Sequence, residues 1–362
     1  MTATLQDRFF GCIAGVHIGS AMAAPVEGWP YQRIEETYGT LDHFLPYHHY
    51  RSTTDWIREP GTTEDGVERQ KLIITAIVRK KDRITAEDLR AVWVSDMNPN
   101  GAGVVSEPFE GPLLAMAKTP IPARDLGRYC DYAGLVSFAR SCHPIGLINA
   151  GDIEHALEDI LEVGQVYQTS NSRGLQWAAV TGVGIAAATT PGATVDSVLG
   201  TILNVCGTFG QRFFQDAHVV RELERALELT RDCQDFRELR SRFDEMYSGH
   251  GIPYAHSYAN EVVTKAVCVF RMVRGDLRQA IIAGVNLGRD TDCATAVAAG
   301  LSGALTGSAG LPEEWVTQLD YATSVNPYTN SKGTLREHAD GLREAFMAKV
   351  QRLQTYAGLM AY

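Results

Sequence analysis

The chain has 362 residues, 45% of them hydrophobic and 21% charged, the balance of a globular protein rather than a disordered or fibrous one. Its formal net charge of -10 argues against a general nucleic-acid binder, which needs a basic face, but does not exclude phosphate-bearing substrates held through a bound cation. The 7 cysteines are odd in number, scattered and free of any C-x-x-C pair, so they read as buried small hydrophobes rather than a disulfide framework or a zinc knuckle.

Taken in chain order, helical periodicity recurs. Leu5, Phe9, Cys12, Ile13 and Val16 form a first stripe. Residues 40–62 are irregular and rich in His, Tyr, Pro and Gly. Val67, Leu72, Ile73, Ala76 and Ile77 form a second stripe, closed by Arg79, Lys80 and Lys81, where cations suit a helix C-terminus. Residues 97–112 and 247–257 read as further loops. The most apolar stretch, Trp177 to Ala188, is short and interrupted by Thr and Gly, which reads as a buried helix rather than a membrane span. Leu277, Ala280, Ile281, Gly284 and Val285 predict a helix stopped near Gly288, followed by a small-residue helix over 294–305. A long last helix carries Leu335, Leu342, Phe346, Val350 and Leu353. Alternating β-branched runs between turn pairs are missing, and no linker or repeat divides the chain. The expectation is one all-α domain spanning 1–362. Without a basic, then apolar, leader at Met1 to Phe10, a cytoplasmic location is expected, with neither membrane nor nucleic acid as partner.

Two acidic motifs carry chemistry. In Gly288-Arg289-Asp290-Thr291-Asp292-Cys293 two carboxylates lie two residues apart, after a helix-stopping Gly and before a small-residue helix. Like charges held so close need compensation, and a hard divalent cation supplies it through oxygen ligands. The plain alternative makes Asp292 an N-cap and Asp290 a solvated loop acid. In Gly61-Thr62-Thr63-Glu64-Asp65-Gly66 an acidic pair opens the second helix, as any helix N-terminus prefers. Gly182-Val183-Gly184-Ile185-Ala186-Ala187 matches a dinucleotide fingerprint, but with no strand ahead of it the glycines read as helix packing. His43, His48 and His49 cluster in the first loop without a His or Cys at ligand spacing.

Together these segments resemble the ADP-ribosylglycohydrolase family, from about Asp7 to Trp315. Gly19-Ser20-Ala21-Met22 through Pro25-Val26-Glu27 resembles that family's opening G-D-A-L-G-x-P-x-E. Thr63-Glu64-Asp65 resembles its T-D-D metal motif. His143-Pro144-Ile145-Gly146-Leu147 resembles its central R-x-x-P-I-G, with Arg140 at the Arg position. Gly288 through Asp292 resembles its final G-x-D-T-D-[ST]. The resemblance implies an all-helical fold and a dinuclear Mg²⁺ or Mn²⁺ centre. It also implies hydrolysis at the anomeric carbon of a ribose, on a small ribosyl or ADP-ribosyl substrate or an ADP-ribosylated protein. By position it makes Thr63, Glu64, Asp65, Asp290, Asp292 and Cys293 metal residues, and Glu27, Asp65 and Asp290 the catalytic candidates.

The chain departs from the pattern at several places. Ser20 stands for Asp, Glu64 for the first Asp of T-D-D, Gly66 for the following Thr and Cys293 for the metal-binding Thr or Ser. Thr169-Ser170-Asn171 lacks the His of the usual T-H pair. A specialised small substrate fits these changes, as does a member that binds ADP-ribose or a nucleotide without turnover. Two-metal chemistry on a phosphoester is a third reading.

Overall fold

The computed structural model describes residues 3–49, 54–101, 109–130, 134–170, 172–214, 218–247 and 257–361, with 208–214 described by backbone alone. Asn171, most of the 247–257 loop and part of the 97–112 loop lie outside the described residues. Among the described residues sixteen α-helices follow one another: α1 (Leu5–Ala23), α2 (Tyr31–Tyr38), α3 (Asp65–Lys80), α4 (Ala86–Asp96), α5 (Glu110–Ala117), α6 (His143–Ile148), α7 (Ile153–Val163) and α8 (Arg173–Ala188). The second half adds α9 (Val195–Phe214), α10 (His218–Leu229), α11 (Phe236–Met246), α12 (Ala259–Met272), α13 (Leu277–Val285), α14 (Thr291–Thr306), α15 (Glu313–Val325) and α16 (Leu335–Met360). Among the described residues there is no strand, and only the isolated bridges Tyr47–Arg58 and Leu135–Tyr258 occur. The fold is all-α, as the periodicity implies.

The central contact is α1 against α14. Gly11, Gly15 and Gly19 recur every four residues, which puts them on one face of α1. A Cβ at Gly15 would meet Ala299 O at 2.7 Å, and one at Gly19 would meet the Thr295 methyl at 2.8 Å. One at Gly11 would run into the Gly307 backbone, and one at Gly303 into the Gly11 backbone. Contacts therefore run backwards along α14 as they advance along α1, so the two helices are antiparallel and their backbones approach closely. The expected single apolar stripe on α1 is too narrow: every residue from Arg8 to Ala23 is buried, because neighbours surround the helix. The Leu5–Val26 segment is apolar and long enough to cross a membrane, but 94% of its apolar window is buried within the protein, the setting of a core helix.

Helices α13, α12 and α8 also flank α14. In α8, a Cβ on Gly182 would strike Ile160 and one on Gly184 would strike Leu301, so the glycines of the dinucleotide-like motif serve helix packing. One apolar cluster runs through nearly all the elements, from Phe9 to Ala345. The last helix leaves the body: residues 351–361 are exposed, and Leu353, expected on the buried stripe, is 58% exposed.

The α1–α14 approach yields a stability prediction. Gly303→Ala should destabilise the protein by about 1–3 kcal/mol, because the methyl meets backbone that cannot step aside. Gly358→Ala, with open space around the new methyl on the exposed end of α16, should be neutral or slightly stabilising. Urea unfolding followed by circular dichroism measures both; equal midpoints would contradict the close approach.

Candidate metal centre

Three chain segments deliver the acids. The stretch before α14 is pinned to the end of α1: Gly28 N–H donates to Arg289 O at 2.7 Å, Arg289 N–H to Trp29 O at 2.7 Å, and Thr291 Oγ1 to Ala23 O at 3.0 Å. Gly288 and Arg289 both take positive φ, of 78° and 66°, a turn that costs little for Gly and more for Arg. The Arg289 side chain is tied down by Glu261 on α12, through Nη2 to Oε2 at 2.9 Å. This stitching sets Glu27 beside the acids that open α14.

Asp290, and not Asp292, is the N-cap of α14, accepting from Cys293 N–H at 3.3 Å. The solvated-loop reading of Asp290 fails, since Asp290 and Asp292 are 3% and 1% exposed. Asp290 Oδ2 and Asp292 Oδ1 are buried and have no hydrogen-bond partner among the described residues. A buried carboxylate oxygen without a donor is costly, and a cation removes that cost. One ligand atom from each of Asp290, Asp292 and Cys293 lies within 4.8 Å of the others. The two carboxylates thus fit a hard divalent ion; the thiol, a soft donor, fits it poorly.

The first motif is arranged differently. Glu64 is the N-cap of α3, but its side chain makes no capping bond. Its Oε1 instead accepts from Tyr47 OH at 2.5 Å and from the Arg58 guanidinium. Asp65 accepts from Gly66 N–H at 2.9 Å on Oδ1, and on Oδ2 from Arg69 at 2.8 Å and from Arg140. Thr63 turns to another network, donating to Glu68 Oε1 at 3.1 Å. Arg140 links the two motifs: besides its bond to Asp65, its Nη1 lies 3.2 Å from Asp292 Oδ2 and 2.9 Å from Cys293 Sγ. Arg69 also donates to Glu110, so buried charges alternate in sign from Glu110 through Arg69, Asp65 and Arg140 to Asp292.

Described residues of the 40–62 loop reach these acids. His49 Nε2 lies 3.4 Å from Glu27 Oε2 and 3.6 Å from Glu64 Oε2. Glu27, His49 and Glu64 form a second group whose ligand atoms all fall within 4.8 Å. His48 bonds Thr54 O, and the exposed His43 sits beside Asp42, so of the three clustered histidines only His49 reaches the site. Tyr47, Arg58, Arg69 and Glu110 are the residues that sequence reasoning missed, while His49 was named there and set aside for want of a ligand at sequence spacing. The irregular 40–62 loop was the available signal for Tyr47 and Arg58, and the irregular 97–112 stretch for Glu110; nothing local marks Arg69.

Electrostatics follow from burial. Burial pushes the Glu27 carboxyl above its ordinary value, with Asp290 and Glu64 adding to the rise against the opposing His49. Asp292 is pushed well up by burial, then by Glu27 and Asp290, which together outweigh Arg140. Burial acts the same way on Asp65, but Arg140 and Arg69 prevail and hold it down to about 2. Burial lowers the His49 imidazole, yet Glu64 and Glu27 outweigh that and leave it raised.

The ADP-ribosylglycohydrolase family profile matches residues 1–352. The chain is 22% identical to the uncharacterized protein YegU of Escherichia coli (strain K12), over 90% of this chain and 98% of that one. It is 23% identical to an uncharacterized protein of Archaeoglobus fulgidus, over 87% and 92%. The fold matches that of a solved ADP-ribosylglycohydrolase-related protein complex with a TM-score of 0.54 and 17% identity, covering 94% and 97% of the two chains. The chain belongs to the ADP-ribosylglycohydrolase family, and the glycohydrolase class is the function that this membership supports.

The raised Glu27 and Asp292 carboxyls predict the pH dependence of ion binding. A raised acid holds its proton to higher pH, and an ion must displace that proton to bind. Mn²⁺ affinity should therefore rise as the pH climbs above the ordinary carboxylate range, with net proton release. Calorimetry in two buffers of different ionisation enthalpy reads the release; binding that is pH-independent and proton-neutral would contradict the assignment.

Proposed function

We propose that the protein is a metal-dependent glycohydrolase that cleaves the anomeric bond of an ADP-ribosyl, ribosyl or nucleoside-like conjugate, with Mg²⁺ or Mn²⁺ as the ion. One observation carries this: two buried carboxylate oxygens, on Asp290 and Asp292, lack donors among the described residues in a chain of this family. Asp290 and Asp292 would hold the ion. When bound, it supplies Lewis acidity and a fixed positive charge that can orient ribose hydroxyls.

The rest of the chemistry falls to the chain's own groups. Breaking a bond at an anomeric carbon develops oxocarbenium character, helped by nearby negative charge and by a group that moves a proton. Glu27 is the proton-moving group in this reading. Its raised carboxyl lies beside His49, which contacts both Glu27 and Glu64 and can pass a proton along that line. Asp65, with both oxygens already bonded, acts on Arg69 and Arg140 rather than on substrate. The buried setting of these groups strengthens each interaction relative to water.

A second reading, binding of ADP-ribose or a nucleotide without turnover, draws support from the arginines that pair with Glu64 and Asp65. Turnover separates the two. The protein with Mn²⁺ should release a free ribosyl product from at least one member of a broad panel of N- and O-ribosyl conjugates. A chelator should stop it, and Glu27→Gln should lower kcat by about 10²–10⁴-fold. Ligand binding without metal-dependent turnover across the panel would leave only the second reading, and released phosphate in place of a ribosyl product would favour phosphoester chemistry.

A further inference from the structure

The two acidic motifs of this family imply two ions, but beside Asp290 and Asp292 the donors suffice for one, and in the neighbouring Glu27–His49–Glu64 group His49 stands between the two acids and Arg58 already pairs with Glu64. The oxygens of Asp290 and Asp292 without donors offer an ion its place. Asp65 of the first motif offers no equivalent: its Oδ1 takes a backbone N–H, and its Oδ2 takes two guanidinium groups. We propose that the centre binds a single divalent ion, at Asp290 and Asp292, and that the Arg140 guanidinium is a built-in cation in the place of the second, bridging Asp65 and Asp292. The proposal rests on the metal-dependent reading above and deepens it.

Three independent features of the chain converge on Arg140. The first is position. Arg140 precedes Pro144 by four residues, one more than the R-x-x-P spacing of the family, and is 6% exposed between α3 and α14. The second is space. A Cβ on Gly66 would sit 2.7 Å from Arg140 Cδ and 2.8 Å from its Nε. Gly66 stands where the family has Thr, so the same departure that removes a side chain clears the path of this arginine. The third is chemistry. Cys293 stands where the family has a hydroxyl that ligates metal, and its sulfur lies 2.9 Å from Arg140 Nη1. A thiol is a weak ligand for a hard ion but accepts from a guanidinium without needing one. Each departure is unfavourable for a second ion and favourable for the arginine.

The charge pattern agrees. A guanidinium is planar, permanently charged and able to reach two acids at once, so it can neutralise the repulsion between Asp65 and Asp292 at every pH and every metal concentration. A second divalent ion in the same place would have to share it with a buried positive charge. Ser20, which replaces another acid of the family pattern, removes negative charge from α1 in the same direction.

Ion stoichiometry decides the matter without reference to activity. The full chain, stripped and reloaded with Mn²⁺, should carry one ion by native mass spectrometry. Its electron paramagnetic resonance spectrum should be that of an isolated ion. Arg140→Ala should raise the count to two and give the spectrum of an exchange-coupled pair. Asp65→Asn should keep the one ion, because Asp65 is bound to arginines. Asp290→Ala should lose it. Two ions in the unaltered protein would overturn the built-in cation while leaving the metal-dependent function standing. No ion at all would overturn both. If Arg140→Ala does not fold, the Asp65→Asn result still tests the idea, since loss of the ion there would make Asp65 a ligand and sink it. A folded Arg140→Ala protein that still carries one ion would do the same.

Discussion

Carboxylates gathered out of water repel one another and lose their hydration, so a cluster of them persists only where cations are built in or bound. In this protein Glu27, Glu64, Asp65, Glu110, Asp290 and Asp292 are gathered at one end of the central helix pair, and the arginines set among them are Arg58, Arg69 and Arg140. The arginines fall unevenly. They cover the α3 side of the cluster and leave oxygens of Asp290 and Asp292 without donors. The site's chemistry follows from that asymmetry, which makes one half of the cluster a fixed ionic scaffold and the other half a candidate ion site.

The scaffold could not form without the packing beneath it. Gly11, Gly15 and Gly19 allow α1 and α14 to run backbone to backbone, and the hydrogen bonds between the 28–29 turn and Arg289 then fix Glu27 next to Asp290. Arg289 is held in a left-handed conformation at this junction, where a buried network over-determines it. The loop over 40–62 adds Tyr47, His49 and Arg58 from above. Fold and site are coupled at the same residues.

The helices were legible because apolar residues recur at helical spacing, and the ends of α3 and α13 fall close to where charge and Gly place them. The α1 stripe was misread in width, since a central helix buries all its faces and periodicity then stops reporting a single one. Leu353 failed for the opposite reason: the pattern continues along α16 after the body that would bury it has ended. At the site, Asp290 and Asp292 were legible as a pair because their spacing is local. That Asp290, and not Asp292, caps the helix depends on two residues of register. The partners of Glu64 and Asp65 were not legible. A helix-opening acid looks the same whether it meets water, a metal or an arginine from far along the chain, and Arg140 lies 75 residues from Asp65. The substitutions at Gly66 and Cys293 were visible in the sequence, but their common cause emerges only when both are seen to touch one guanidinium.

The central claim is that an arginine and a single ion share the work that two acidic motifs imply for two ions. Anomalous diffraction from crystals grown with Mn²⁺ tests it most directly, because it counts and places the ions in one map. The account predicts one anomalous peak, within bonding distance of Asp290 and Asp292, with the Arg140 guanidinium still bridging Asp65 and Asp292. Two peaks, with Asp65 bonded to one of them and Arg140 swung aside, would contradict it.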